Sequence, residues 1–157
     1  MNPIRVLFVC IHNSARSQMA EAYLNHFGAG KFEAESAGLE PGVLNPRVVQ
    51  TLMEDGLDIS RNKTRSVSDV LKQGKRFDCV ITVCDETSAE KCPVFPGAGQ
   101  RLHWSFKDPS ALTGAEGDKL RGTREIRDEI KSAIKKWIAE RYQAAPGESF
   151  QFRAPNP

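Results

Sequence analysis

Residues 4–17 read I-R-V-L-F-V-C-I-H-N-S-A-R-S, and this stretch decides the fold. Its first six residues are almost all apolar and rich in β-branched side chains, which is typical of a strand buried on both faces. A loop of small and polar residues follows. A helical pattern begins behind the loop, with Met19, Tyr23 and Phe27 four residues apart and Gly28 as a stop signal. Strand, loop and helix in this order predict the first unit of a parallel α/β sheet.

Strands and helices continue to alternate along the chain. Further strands are predicted at residues 32–37, 79–83 and 101–106, and further helices begin at Pro46, Val67 and Thr123. This order implies βαβ units, a parallel sheet and right-handed crossovers. Ligands of such sheets bind beyond the carboxyl ends of the strands. Cys10 and Cys84 end the first and third strands, so both are expected at that edge.

Length and composition fit one globular domain. The chain has 157 residues, of which 39% are hydrophobic and 27% charged. We expect residues 1–142 to form a single catalytic domain and the Pro/Gly-rich residues 143–157 to form a loose C-terminal tail. The formal net charge is only +2, which argues against nucleic acid or an anionic membrane as a partner. The sequence shows no apolar run of membrane-spanning length and no signal-peptide pattern, so a cytoplasmic protein is expected. The near-neutral charge makes a monomer the expected state.

Four cysteines, at positions 10, 79, 84 and 92, need a chemical explanation. In a reducing compartment cysteines are catalytic, metal-binding or buried. The sequence contains no C-x-x-C pair, and its three histidines fall at no zinc-finger spacing, so a structural zinc site is not expected. No other metal and no tightly bound cofactor are expected either. Cys79 lies inside a predicted strand and is expected in the core. Nucleophilic or redox chemistry is left for the others.

The segment from Cys10 to Ser17 has the form C-x5-R-S between a strand and a helix. Backbone N–H groups of such a loop, with the N-terminus of the next helix, can surround a tetrahedral oxyanion. Arg16 adds a planar fork of donors, Asn13 tolerates a left-handed backbone, and Ser17 can donate to a Cys10 thiolate. The predicted oxyanion-binding loop comprises Ile11, His12, Asn13, Ser14, Ala15, Arg16 and Ser17, with His12 either facing the anion or exposed.

Residues 9–22, V-C-I-H-N-S-A-R-S-Q-M-A-E-A, followed by E-S-A-G at 35–38, resemble the low-molecular-weight protein tyrosine phosphatase superfamily. Within it they are similar to the arsenate reductases of the three-cysteine, thioredoxin-linked type. The resemblance extends over residues 5–142. It implies an α/β, three-layer flavodoxin-like fold of the low-molecular-weight phosphatase type, with a four-stranded parallel sheet of order 2-1-3-4.

Residues 80–93, V-I-T-V-C-D-E-T-S-A-E-K-C-P, distinguish the two branches of this superfamily, which share the loop. Cys84 ends the third strand, and Cys92 follows eight positions later. A phosphatase needs only Cys10. A reductase needs a resolving cysteine near the nucleophile and benefits from a third that carries the disulfide outward. The alternative is that Cys84 belongs to the core and Cys92 has no role.

The segment H-W-S-F-K-D-P, residues 103–109, resembles the H-W-x-F-x-D-P segment of the family. It predicts that Asp108 stands in a rigid turn over the site, where a carboxyl group can act as general acid. The alternative is an aspartate that only opens the turn. In the phosphatases, aromatic residues that clamp phosphotyrosine usually follow Asp-Pro, whereas Ser-Ala-Leu follows here. This difference favours the reductase.

The resemblance implies a mechanism. Cys10 attacks arsenate held by Arg16 and the loop amides, while Asp108 assists the loss of an oxygen. Cys84 then attacks Cys10 and arsenite leaves. Cys92 attacks Cys84, which moves the disulfide to Cys84–Cys92, where the reductant reaches it. The expected partners are arsenate and thioredoxin, or glutaredoxin with glutathione.

Some relatives bind a potassium ion beneath the loop through Asn, Glu, Ser and Asp side chains. Asn13, Glu21 and Ser36 match this set, but Arg65 stands where the Asp is expected. The Arg65 guanidinium can replace the cation by pairing with Glu21. We therefore expect no potassium requirement.

Two other functions remain open from the sequence. One is a low-molecular-weight protein tyrosine phosphatase that uses Cys10 and Asp108. The other is a non-catalytic oxyanion-binding or redox-switch protein whose cysteines report the thiol state of the cell. Replacing Cys84 or Cys92 by Ser separates the three functions. The change stops repeated turnover of a reductase, leaves a phosphatase intact and alters only the oxidised state of a switch.

Overall fold

A computed structural model of the chain describes residues 2–84, 99–143 and 151–152. Four parallel strands form its main sheet in the order β2-β1-β3-β4, which confirms the predicted order 2-1-3-4. The central position of β1 explains its continuous apolar run, since it pairs with a neighbour on both sides. The strands are β1 Ile4–Cys10, β2 Phe32–Gly38, β3 Cys79–Thr82 and β4 Gln100–His103.

Helices cover both faces of this sheet. They are α1 Arg16–Phe27, α2 Pro46–Met53, α3 Val67–Lys72 and α4 Glu116–Arg141. Side chains of β1 alternate between two core clusters, with Val6 and Phe8 on the side of α1, α2 and α4, and Leu7 and Val9 on the side of α3. The result is the expected three-layer α/β fold.

Two predicted helix starts are confirmed by their caps. The Asn45 side chain accepts hydrogen bonds from the backbone N–H groups of Arg47 and Val48, and Pro46 is the first residue of α2. The Ser66 hydroxyl accepts from the N–H of Asp69 at the start of α3. The Asn45 cap matters for the site because residues 39–45 run beside the loop after β1.

The last helix begins seven residues before the predicted start at Thr123, at Glu116. Its first two turns contain Gly117 and Gly122 and lack an apolar period, so the sequence gives no helical signal there. Tertiary packing supplies the missing stability. A Cβ at Gly122 would lie 2.8 Å from Cδ1 of Leu112, so this glycine permits a close contact with the preceding loop.

The fourth strand is shorter than the predicted residues 101–106 and ends at His103. Trp104 N–H still donates to the Thr82 carbonyl at 2.8 Å. Beyond it the chain leaves the sheet, and the carbonyl of Phe106 accepts a hydrogen bond from Arg16 instead. The contact with the loop after β1 thus replaces the last part of the predicted strand.

Two short antiparallel strands, β5 Tyr142–Gln143 and β6 Gln151–Phe152, pair near the C-terminus. The domain boundary at residue 142 and the loose tail at 143–157 stay predictions. Among the helices in the described ranges, none is long and apolar enough to cross a membrane.

Candidate active site

The loop that follows β1 lies at the carboxyl edge of the sheet, as predicted. Cys10 is the last residue of β1 and is opposite Gly38 of β2 in the strand register. Asn13 has a φ of 54°, the left-handed conformation expected for it, and it is the one non-glycine residue with positive φ in the described part of the chain. The chain therefore reverses tightly at Asn13 and enters α1 at Arg16.

Two donors surround the sulfur of Cys10, which is only 3% exposed. The backbone N–H of Asn13 donates to Sγ at 3.1 Å. The Oγ atom of Ser17 lies 2.9 Å from the same sulfur. Both contacts are made to the atom that the sequence predicts as the nucleophile.

The direction of the Ser17 hydroxyl bond follows from the groups behind it. The backbone N–H of Arg65 donates to Oδ1 of Asn13 at 2.9 Å, which fixes the orientation of the Asn13 amide. Its Nδ2 then donates to Oγ of Ser17 at 2.8 Å. With its oxygen accepting there, Ser17 has its own hydrogen available for Cys10.

Residues 39–45 run beside the loop and contact it, which the local sequence pattern does not reveal. Backbone N–H groups of this segment donate to the carbonyls of the loop, which draws those oxygens away from the loop's centre. Because the N–H and carbonyl groups of a peptide point in opposite directions, the N–H groups of the loop face its centre, where an anion can bind. The pairs, donor first, are Leu39 to Cys10, Glu40 to Ile11, Gly42 to His12 and Asn45 to Ser14, at 2.8–3.3 Å.

Gly38 makes this close approach possible. A Cβ at this position would lie 2.8 Å from both the Asn13 nitrogen and the Ile11 carbonyl oxygen. Real side chains do not reach such distances to backbone atoms. The glycine that ends the E-S-A-G segment is therefore required by packing against the loop.

Arg16 is buried although it carries a charge, with 5% of the residue exposed. Its Nη1 donates to the carbonyl of Phe106 at 3.1 Å. Its Nη2 lies 3.9 Å from Oδ2 of Asp108. The two predicted residues Arg16 and Asp108 are thus brought together at the mouth of the loop.

Asp108 is held by its own turn. Its Oδ1 accepts from the N–H of Ser110 at 2.9 Å, at the start of a short 3-10 helix, Pro109–Ala111. The other carboxylate oxygen faces Arg16. Nδ2 of Asn45 donates to Oγ of Ser110 at 2.9 Å and ties this turn to α2. The local sequence does not reveal this second contact of Asn45, because Ser110 lies 65 positions away.

His12 turns away from the centre of the loop. The side chain is exposed, and its Nδ1 lies 3.0 Å from the Glu40 carbonyl. A carbonyl oxygen can only accept, so Nδ1 carries the hydrogen in this contact. The ring therefore braces the 39–45 segment.

Cys84 follows β3 and is fully buried. Its sulfur lies 4.0 Å from the carbonyl oxygen of Val9, the residue before Cys10. Cys84 is disulfide-bonded in this structure, whereas Cys10 and Cys79 are free thiols. Burial raises the pKa of Cys79 to about 12, which makes it unreactive, as expected for a core cysteine. Cys92 lies outside the described residues.

Arg65 does pair with Glu21, as predicted, with Nη2 3.5 Å from the carboxylate. Its Nη1 contacts Glu35 at 2.9 Å, and Ser36 donates to Glu21 at 3.3 Å. Burial raises the pKa of Glu21 to about 7, although Arg65 opposes this. Burial acts the same way on Glu35, but hydrogen bonds from Lys75 and Arg65 outweigh it and lower the pKa of that carboxyl.

No group of three or more His, Cys, Asp or Glu side chains within residues 2–84 and 99–141 could hold a metal ion. The Arg65 guanidinium lies beside Glu21 and Glu35, at the place where the resemblance implies a potassium ion in some relatives. The absence of a metal cofactor stays a prediction from the sequence.

Comparison with known proteins adds a family to this geometry. Residues 5–145 match the family described as low molecular weight phosphotyrosine protein phosphatase. An arsenate reductase from Bacillus subtilis is 38% identical over 134 residues, which cover 84% of this chain and 93% of that protein.

Solved structures with the same fold include two further arsenate reductases. The one from Archaeoglobus fulgidus is 39% identical, with a TM-score of 0.63, and the match covers 83% of this chain and 98% of that one. A thioredoxin-dependent arsenate reductase from Corynebacterium glutamicum is 30% identical with a TM-score of 0.62, covering 87% of this chain and 60% of that one.

Proposed function

The chain belongs to the low molecular weight phosphotyrosine protein phosphatase family, and within that family we propose that it reduces arsenate to arsenite with electrons from its own cysteines. The position of Cys84 carries this proposal. A hydrolase of this family needs one cysteine, yet here a second sulfur lies against the backbone that leads into the first. The arsenate reductases among its relatives support the same function.

In the first step, arsenate binds to the inward N–H groups of the loop and to Arg16. The Cys10 thiolate attacks arsenic and forms an S–As bond. One arsenate oxygen leaves as water, with Asp108 delivering the proton. The Asn13 N–H donates to the Cys10 sulfur, and the Ser17 hydroxyl lies against it, so both contacts orient the sulfur for this attack.

In the second step, the Cys84 thiolate attacks Sγ of Cys10. The new S–S bond forms as the S–As bond breaks, and the electron pair of that bond stays on arsenic. Arsenic is thereby reduced from the +5 to the +3 state, two thiols are oxidised to one disulfide, and arsenite leaves.

In the third step, Cys92 attacks Cys84 and releases Cys10 as a thiolate, which restores the loop. A dithiol protein then reduces the Cys84–Cys92 disulfide. We propose thioredoxin for this role, which the thioredoxin-dependent relative supports, with glutaredoxin and glutathione as the other candidates.

Hydrolysis of phosphate monoesters is the second candidate function. Cys10, Arg16 and Asp108 suffice for it, and phosphate has nearly the shape of arsenate. Residual phosphatase activity is therefore expected of the reductase as well. What distinguishes the two is the need for Cys84 and Cys92.

The test is a coupled assay with thioredoxin, thioredoxin reductase and NADPH. Arsenate should cause NADPH oxidation with the wild type and not with Cys10→Ser, Cys84→Ser or Cys92→Ser. Cys79→Ser is the matched control, since Cys79 is buried away from the site, and it should retain activity. Hydrolysis of p-nitrophenyl phosphate should vanish only in Cys10→Ser.

Three results would each contradict a different part of the proposal. Phosphate ester hydrolysis without arsenate reduction would identify a phosphatase. Disulfide formation under oxidant without any turnover would identify a redox switch. One arsenite per chain, without NADPH oxidation, would retain the chemistry and reject thioredoxin as the donor.

A further inference from the structure

Gln18 is a polar side chain in the core of the site that no step above uses. It lies in α1 and is 1% exposed. Its Nε2 faces the Asn13 carbonyl at 3.1 Å, Oδ1 of Asn13 at 3.3 Å and the Lys63 carbonyl at 3.4 Å. Its Oε1 accepts from Nδ2 of Asn62 at 3.1 Å. A buried amide with this many partners fixes the groups around it.

We propose that Gln18 is a positioning residue, which holds Asn13 so that the Ser17 hydroxyl points at Cys10. This inference deepens the proposed function, because it concerns the same nucleophile. Gln18 touches neither the sulfur nor the place of the anion in the loop, so its effect must pass through Asn13.

The orientation of the Gln18 amide has one solution. The three oxygens around Nε2 are carbonyl or amide oxygens, which accept and never donate. The nitrogen must face them, and the oxygen must face Asn62. The two N–H groups of Gln18 are therefore shared among three acceptors, two of which belong to Asn13.

These two contacts secure Asn13 in complementary ways. The bond to its backbone carbonyl supports a residue with φ of 54°, a conformation that residues with a side chain adopt rarely, although Asn adopts it more readily than most. The bond to its Oδ1 adds to the one from Arg65 N–H. The two bonds to Oδ1 oppose rotation of the Asn13 side-chain amide. Such a rotation would present Oδ1 to Ser17 and draw the hydroxyl hydrogen away from Cys10.

The choice of variant follows from the surroundings. Gln18 lines a cavity of about 190 Å³ with Glu21, Asn62, Lys63 and Arg65. Truncation of Gln18 to Ala would enlarge this cavity and admit water, whose hydrogen-bond donors could replace those of the lost amide. Gln18→Leu keeps most of the volume and removes both donors. Gln18→Met, which is unbranched, serves if the Leu variant does not fold.

The measurement is the rate of iodoacetamide alkylation of Cys10 in the fully reduced chain, read at that cysteine by peptide mass spectrometry across a pH series. Gln18→Leu should slow alkylation near neutral pH about fivefold, the effect of weakening one hydrogen bond to a thiolate. Thiolate absorbance in the ultraviolet should fall in parallel, which separates ionisation from access. This readout needs neither arsenate nor thioredoxin, so it succeeds or fails independently of the proposed function.

Asn25→Ala is the matched control. Asn25 lies on the same helix, and its amide likewise clamps backbone groups, those of Ala34, at 2.8 and 3.1 Å. It should lose stability without slowing alkylation. Equal alkylation of Gln18→Leu and the wild type would overturn the proposal and leave Gln18 a structural role alone.

A double-mutant cycle tests the route of the effect. In a Ser17→Ala background the hydroxyl is gone, so Gln18→Leu should change alkylation by about twofold or less. An undiminished effect there would show that Gln18 acts on Cys10 by another path, which also overturns the proposal.

Discussion

The Ser17 oxygen lies 2.9 Å from the sulfur of Cys10 and accepts a hydrogen bond from Asn13, which leaves its hydroxyl hydrogen available to donate to that sulfur. We expect Ser17→Ala to slow arsenite release in the first turnover about tenfold, since a hydrogen bond to a charged group contributes about 1.5–3 kcal/mol. Rapid quenching of a single turnover measures this rate.

Ser66→Ala is the control for the loss of a hydroxyl. Ser66 caps α3 by accepting from Asp69 N–H at 3.0 Å, so its loss should cost about 1 kcal/mol of stability and leave the first turnover unchanged. Equal first-turnover rates for Ser17→Ala and the wild type would exclude the role of this hydroxyl.

Gly38→Ala should disturb the loop without any backbone strain of its own. The new Cβ would meet backbone atoms of Asn13 and Ile11 at 2.8 Å, so the loop must move. A displacement of this size should reduce the first-turnover rate at least about tenfold. In Gly30→Ala the φ of +84° is strained but nothing lies within 4 Å, so only stability should fall, by about 1 kcal/mol. Identical kinetics of the two variants would contradict the packing argument.

Glu21 should make stability fall as pH rises. Burial raises its pKa in the folded protein from 4.5 to about 7. Between these values the folded chain holds a proton that the unfolded chain has lost, so the contribution of Glu21 is full below 4.5 and is lost as pH rises through 7. Relative to Glu21→Gln, the wild type should lose about 2 kcal/mol between about pH 5 and pH 8.

Urea unfolding of both proteins across that range measures this difference. Glu33→Gln, at an exposed position of β2, is the control for the loss of one carboxyl group from the same sheet. Parallel stability curves for the wild type and Glu21→Gln would contradict the effect of burial on Glu21.

The Arg65 side chain should determine whether the thermal stability of the protein depends on potassium. In the wild type its guanidinium lies 3.5 Å from Glu21 and 2.9 Å from Glu35, so a cation is already present. Arg65→Asp should be less stable in tetramethylammonium chloride and regain a few degrees of melting temperature in potassium chloride of equal concentration. The wild type should have the same melting temperature in both salts. A higher melting temperature of the wild type in potassium chloride would contradict the inference that Arg65 takes the place of the cation.

The local part of the site could be predicted from the sequence. The strand before the loop, the left-handed Asn13 and the contact of Ser17 with Cys10 all follow from residue type and short spacing. The segments that enclose the loop could not be predicted in this way. Asn45 reaches Ser110 and Arg65 reaches Asn13 only through the sheet order, which brings together residues 65 and 52 positions apart.

The start of α4 and the end of β4 illustrate the same limit. Gly122 is a poor helix former, but it admits Leu112, and packing outweighs propensity. The chain after His103 has strand-like residues, but it turns to the Arg16 side chain. Where a partner distant in sequence determines the structure, the local pattern is misleading.

The most direct test of the relay is one turnover without any external reductant. Fully reduced protein is mixed with excess arsenate and quenched by acid, arsenite is counted, and the cysteines are mapped by mass spectrometry. We predict one arsenite per chain with a Cys84–Cys92 disulfide and a free Cys10, and a trapped Cys10–Cys84 disulfide in Cys92→Ser. Arsenite formation with Cys84 still reduced, or no arsenite at all, would contradict the account.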